Sequence, residues 1–171
     1  MAFYSRGRRP LAEEEKSTDA AKARTRAMEL LAGQELSSGQ LYERLNRRYT
    51  QQTSAAVVAE MVQREYINDA RYAETRAHAL LAAKKSRRAA ARNLRQKGLD
   101  AQQISAALEE AYASDEAGGD PELEAAAALV EGRYRGKLAA GRKDLVVAAL
   151  ARRGFAYPVI KEAIKRAEGD D

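Results

Sequence analysis

Lys97-Gly98-Leu99, followed by Ile104 and Leu108, recurs 56 residues later as Arg153-Gly154-Phe155, followed by Ile160 and Ile164. Each copy reads as a basic helix, a glycine stop and a second helix with apolar residues four apart. A looser copy lies upstream at Leu41, Leu45, Val58, Met61 and Val62. Recurrence at this spacing marks stacked helical units, each too thin to bury its apolar face alone, and not one core built around one catalytic pocket.

Working outward from the repeat, the chain predicts nine helices in three groups of three. The first runs from about Thr18 to Leu31, with Ala23, Ala27, Leu30 and Leu31 on one face. The second starts near Ser38 and turns Leu41 and Leu45 inward. The third starts near Ser54 with Val57, Val58, Met61 and Val62 as its stripe. Asn68 or Asp69 caps the fourth, which buries Tyr72, Ala73, Ala77, Leu80 and Leu81. The fifth spans about Ser86 to Lys97 and stops at Gly98, a residue that enters the left-handed conformation cheaply. Asp100 and Gln103 form a capping box for the sixth, which carries Ile104, Ala107, Leu108 and Ala111. Asp120-Pro121 restarts the chain with a cap and a proline at the first helical position. Leu123, Ala126, Ala127, Val130 and Tyr134 mark the seventh helix, and Gly136 to Gly141 reads as a loop. The eighth carries Leu145, Val146, Ala149 and Leu150, and Tyr157-Pro158 opens the ninth, with Ile160, Ala163, Ile164 and Ala167 inward. The expected fold is all-α, an elongated, curved array of three tandem three-helix modules of helix-turn-helix type. Its parts are a mobile tail (1–17, with Phe3, Tyr4, Arg6, Arg8 and Arg9), module 1 (18–67), module 2 (68–113), a linker (114–119) and module 3 (120–168).

Composition agrees with thin modules. The chain is 45% hydrophobic but only 6% aromatic, and alanine supplies much of the apolar count. There is no cysteine, which excludes disulfides and cysteine-based zinc sites and fits a reducing cytoplasm. The charged N-terminus does not read as a signal peptide, and no apolar run approaches the ~20 residues of a membrane span.

Catalytic chemistry is hard to assemble from these residues. His78 is the only histidine and sits mid-helix between Ala77 and Ala79. Metal sites of the Cys/His type and serine–histidine triads therefore fail, and no metal or cofactor is expected. Gly132 to Leu138 has a superficial likeness to a phosphate loop. It has three residues between its glycines where four are needed, and leucine follows the lysine where a hydroxyl is needed.

Binding chemistry is easier to find. The net charge is +5, and the acids are unevenly placed. Lys84, Lys85, Arg87, Arg88, Arg92, Arg95 and Lys97 follow one another with no acid between them. At about 100° per residue, Lys84, Arg88, Arg92 and Arg95 share one face, with Ala90 and Leu94 opposite. Such a helix packs on one side and meets polyanions on the other. Arginine predominates, which favours bidentate pairing with phosphate or carboxylate. Module 3 offers Arg133, Arg135, Arg142, Lys143, Arg152 and Arg153, and module 1 offers Arg44, Arg47 and Arg48. Arg71 is expected to face outward as well. The expectation is a discontinuous cationic stripe suited to a filament groove. Asn93 and Gln96 are the only evident base-reading residues on the fifth helix, so sequence-specific reading is weakly supported.

The motifs themselves resemble a family. Glu65-Tyr66-Ile67-Asn68-Asp69-Ala70-Arg71-Tyr72-Ala73, the basic helix ending Leu94-Arg95-Gln96-Lys97-Gly98-Leu99, and Arg152-Arg153-Gly154-Phe155 before Ile160 are together similar to RecX proteins, bacterial regulators of the RecA recombinase. The likeness covers about residues 20 to 167 in the same order. Glu65 stands where the family usually has glycine, Lys85-Ser86 lacks a glycine common there, and Ala90 replaces a usual isoleucine. Tyr66, Ile67, Tyr72 and Ala73 read as packing residues. The resemblance implies a non-catalytic, cytoplasmic protein, monomeric when free. It would bind RecA and the RecA–DNA filament, inhibit recombinase, ATPase and coprotease activities in DNA repair and the SOS response, and contact single- and double-stranded DNA weakly. The competing readings are a helix-turn-helix transcriptional repressor, which would need one base-reading helix per subunit of a dimer, and an alanine-rich scaffold whose charge confers only solubility.

Overall fold

A computed structural model describes residues 10–114 and 118–169. The N-terminal Phe3, Tyr4, Arg6, Arg8 and Arg9 and the middle of the expected linker lie outside the described residues. The chain divides into two compact units, Met1–Asn68 and Asp69–Asp171.

The first unit holds one helix triplet: α1 (Ala20–Gly33), α2 (Ser38–Leu45) and α3 (Gln51–Gln63). Each helix begins on a side-chain cap that takes up a free N–H of the first turn. Asp19 accepts from Lys22, Thr50 from Thr53, and Ser37 and Gln40 bond reciprocally. Ala23, Ala27, Leu36, Leu41, Leu45, Val57, Met61 and Ile67 form the core. Val62, expected inside, is 45% exposed, because the inward stripe of α3 runs through Ser54, Val57 and Met61 and Val62 lies about 100° round the helix from Met61. Tyr66 is likewise 49% exposed, and Ile67 alone of that pair is buried.

Within the expected tail, residues 12–17 are hydrogen-bonded to this unit. They make a short 3-10 turn, and the Glu13 carboxylate accepts from the Gln51 amide at 2.6 Å. Ser17 pairs with Tyr49 in an isolated parallel bridge, its backbone bonded to Arg48 and Thr50. That segment satisfies backbone groups that would otherwise face water, which is why it is not a free end.

The second unit holds two triplets. α4 (Asp69–Ala82), α5 (Arg87–Gln96) and α6 (Ala101–Ala111) surround a core of Tyr72, Ala73, Ala77, Leu80, Ala90, Leu94, Leu99, Ile104, Ala107, Leu108, Ala111 and Tyr112. α7 (Pro121–Glu131), α9 (Lys143–Arg152) and α10 (Tyr157–Glu168) surround a separate core centred on Val130, Val146, Leu150, Ile160 and Ile164. A five-residue helix, α8 (Arg135–Ala139), occupies part of the segment read as a loop, being too short to show a helical period. Leu145 is 37% exposed although its stripe neighbours Val146 and Leu150 are fully buried. Leu81 packs against both cores, and α4 contacts α7, so these two triplets adjoin. His78, exposed, faces Glu110 at 3.2 Å and ties α4 to α6.

The two copies of the opening motif superpose in role. Gly98 and Gly154 are both left-handed, with φ of 78° and 92°. Leu99 and Phe155 drop into the two cores directly after them. Glu65 and Lys84 are also left-handed, with φ of 59° and 55°. These are the only non-glycine residues so placed among the described residues. Glu65 is where the family usually carries glycine, and the backbone there explains that preference.

Candidate polyanion interface

α5 is shorter than the basic run suggests. Ser86 caps it, its Oγ accepting from the Ala89 amide at 3.1 Å. Lys84 and Lys85 therefore lie in the preceding turn, not on the helix. Ten helical residues make a rod of about 15 Å. Ala90 and Leu94 are fully buried on one side. Arg88, Arg92 and Arg95 are exposed on the other, within about 60° of one another. Arg87 is exposed beside them. No carboxylate lies within ion-pair distance of these four guanidinium groups among the described residues. Like charges at i,i+3 and i,i+4 cost an isolated helix about 0.2–0.5 kcal/mol per pair, a repulsion that a bound polyanion removes.

Asn93 is not simply available to a ligand. Its Oδ1 accepts from Arg76 Nε at 3.2 Å, which braces α5 against α4. The best candidate base reader is thus partly engaged inside the fold. Lys97 is half-buried at the C-cap, and Arg71 is exposed on α4.

The third triplet uses its cations differently. Arg142 pairs with Asp144 at 3.2 Å, and Lys143 pairs with Glu168 at 2.8 Å. The hydrogen bond between the first two raises the Arg142 pKa and lowers that of Asp144. Arg153 is half-buried. Its Nε donates to the Tyr134 hydroxyl at 2.9 Å, and its guanidinium stands 6.0 Å from the centre of that ring. Lys137 approaches the same ring at 5.8 Å. Arg133, Arg135 and Arg152 are exposed.

In the first unit, Arg47 and Arg48 are exposed in the turn after α2, and Arg44 is half-buried against the Gln34 amide. Arg47 and Arg48 border an open groove of about 770 Å³ together with Leu11, Lys16, Tyr42 and Asn46. This groove was not legible from local spacing, because Pro10, Leu11 and Lys16, some thirty residues upstream, form one wall.

Where α5 begins, two contacts join the second and third triplets and a third braces the same turn from within the second triplet. The Ser86 hydroxyl donates to the Arg153 carbonyl at 2.8 Å. The Glu122 carboxylate at the start of α7 accepts from the Arg87 amide at 3.0 Å. The Tyr112 hydroxyl at the end of α6 donates to the Lys85 carbonyl at 2.8 Å. Burial pushes Glu122 above the usual carboxylate range, with Asp120 adding to the effect and the Arg87 amide and charge opposing it. Burial also pushes the Tyr112 hydroxyl up to about 12, so it remains a donor at any physiological pH. This junction falls on the edge of the basic helix and was not anticipated, since its partners are 67, 35 and 27 residues apart.

Comparison with known proteins agrees with the motifs. Residues 68–108, from the residue before α4 to the last turn of α6, match the family model of the second three-helix domain of RecX. The crystal structure of RecX from Lactobacillus salivarius is similar to the chain with a TM-score of 0.73 at 20% identity, covering 88% of this chain and 97% of that one. A crystal structure of regulatory protein RecX gives a TM-score of 0.70 at 22% identity, covering 84% of this chain and 71% of the other. No curated protein sequence matches the chain. No helix among the described residues is long and apolar enough to cross a membrane. The resemblance read from the motifs is therefore supported: residues 68–108 are similar to the second three-helix domain of RecX, and the all-α fold is similar to that of two RecX crystal structures.

Proposed function

We propose that the protein is a non-catalytic, cytoplasmic regulator that binds RecA and the RecA–DNA filament and inhibits ATP hydrolysis, strand exchange and coprotease activity. The observation that carries this reading is α5: a helix seated on Ala90 and Leu94 whose other side presents Arg88, Arg92 and Arg95 without a carboxylate partner among the described residues. Such a face meets DNA phosphates through counterion release and acidic protein side chains through bidentate pairing. Arg87, Lys84, Lys85 and Arg152 extend it, and Arg71, Lys97, Arg133 and Arg135 are further candidates. Arg44, Arg47 and Arg48 of the first unit add contacts of the same kind. Linked units bind at high effective concentration, so weak contacts sum to stable occupancy. The free protein acts as a monomer and needs no cofactor. The Arg76–Asn93 bond supports sequence-tolerant binding over base-specific repression.

The test is the DNA-dependent ATPase of RecA titrated with this protein at two salt concentrations. Substoichiometric inhibition that weakens with salt is expected. An ATPase indifferent to the protein at both concentrations removes the reading.

A further inference from the structure

The edge of α5 is locked to the turn that follows α9, and the lock has no tolerance for a side chain. Gly154 adopts φ +92°. A methyl group on it would sit 2.8 Å from Ser86 Oγ, 3.6 Å from Arg88 Cβ and 3.6 Å from the Arg92 guanidinium. Ser86 is fully buried and has both its hydrogen-bonding roles filled: it accepts from the Ala89 amide, capping α5, and donates to the Arg153 carbonyl. One hydroxyl therefore fixes the start of the cationic helix and its distance from the end of α9. The Arg92 guanidinium is brought over the Gly154 backbone, two residues from the exposed Arg152.

We infer that Ser86 and Gly154 are positioning residues: they hold the arginines of α5 in register with Arg152, so that the second and third triplets engage one polyanionic partner as a single surface. This rests on the reading of α5 as a polyanion-binding face and adds the device that extends it across the junction. Neither residue touches the partner. Each acts through the arginines it places.

The experiment uses the full chain, fluorescently labelled, and follows anisotropy on titration with RecA filaments assembled on a single-stranded oligonucleotide. Arg152→Ala is measured in the wild-type, Ser86→Ala and Gly154→Ala backgrounds, with helicity by circular dichroism as the folding check. In the wild type Arg152→Ala is expected to weaken binding about fivefold, and in either joint variant less than about twofold, because coupled sites are non-additive. The slope of log affinity against log salt should also fall by about one in Ser86→Ala, since one fewer anion is engaged. A side chain that served folding alone would leave that slope unchanged in a folded variant. If Gly154→Ala does not fold, Ser86→Ala, which adds no atoms, decides the matter. An Arg152→Ala cost that is equal in all folded backgrounds overturns the joint while leaving α5 as the binding face. Unchanged binding after charge reversal of Arg88, Arg92 and Arg95 overturns the reading beneath it.

Discussion

The turns at Gly98 and Gly154 share a left-handed glycine and an apolar residue that enters a core directly afterwards. They differ in what lies outside. Gly98 is exposed, whereas Gly154 lies against Ser86, the Cβ of Arg88 and the guanidinium of Arg92. The helices that lead into the turns differ in the same way. α5 holds Arg88, Arg92 and Arg95 without an ion-paired carboxylate among the described residues. Around α9, Arg142 and Lys143 are ion-paired and Arg153 is bonded to Tyr134. A repeat thus fixes backbone geometry and leaves the surface free to diverge: one copy supplies a charged face, the other a joint and an internal brace.

The sharpest way to break this contrast is charge reversal on each helix. Arg88→Glu, Arg92→Glu and Arg95→Glu together should lower affinity for RecA filaments by about 100-fold or more at low salt, given a salt slope near −0.7 per phosphate contact. Arg142→Glu with Lys143→Glu should cost about threefold or less, because those cations already face Asp144 and Glu168 and exposed pairs contribute about 0–1 kcal/mol. Thermal melts should show the α5 variant folded, since the substituted side chains are exposed. Equal losses on both helices would erase the distinction. Unfolding of the α5 variant would mean that those arginines serve the fold.

Substituting the two glycines gives a smaller contrast, read by urea denaturation. Gly98→Ala places a side chain in a left-handed turn, at a cost of about 1–2 kcal/mol. Gly154→Ala adds a collision with the Ser86 hydroxyl and should cost about 2–4 kcal/mol, overpacking contributing the difference. Equal costs would mean that the junction yields to a methyl group and does not fix the register.

How far the sequence carried these conclusions depends on the range of the interaction. The helix caps at Asp100 and Asp120, the stops at Gly98 and Gly154 and the inward pair Ala90 and Leu94 follow from neighbours three or four residues apart, and each was legible. The span of α5 from Ser86 to Lys97 was legible too, but Lys84 does not share its face, because a lysine gives no sign that it will adopt φ 55°. The pairing of Lys143 with Glu168, 25 residues on, and of Arg153 with Tyr134, 19 residues back, could not be counted from a local charge run. A tally gives the runs 84–97 and 132–153 seven basic residues each, and tertiary packing separates them further than the single acid Asp144 does. The joint at Ser86 belongs to the same class.

Two adjacent arginines allow the finest version of the comparison. Arg152 is exposed and Arg153 half-buried, so one charge faces outward and the other inward. Arg153→Ala removes the donor to Tyr134 and leaves that hydroxyl, on a residue only 6% exposed, without this partner. A hydrogen bond from a charged group contributes about 1.5–3 kcal/mol when well buried and less when half-exposed, so a loss of about 1 kcal/mol is expected. Arg152→Ala should change stability by no more than about 0.5 kcal/mol, as exposed substitutions do. Binding should invert the order at the level of the arginines themselves: Arg152→Ala weakens filament affinity, and Arg153→Ala at matched folded fraction affects it less. Urea melts and anisotropy titrations on the same two variants make the comparison. If stability and affinity fell together for either residue, the division between a bracing arginine and a contacting one would fail where two adjacent arginines face opposite ways.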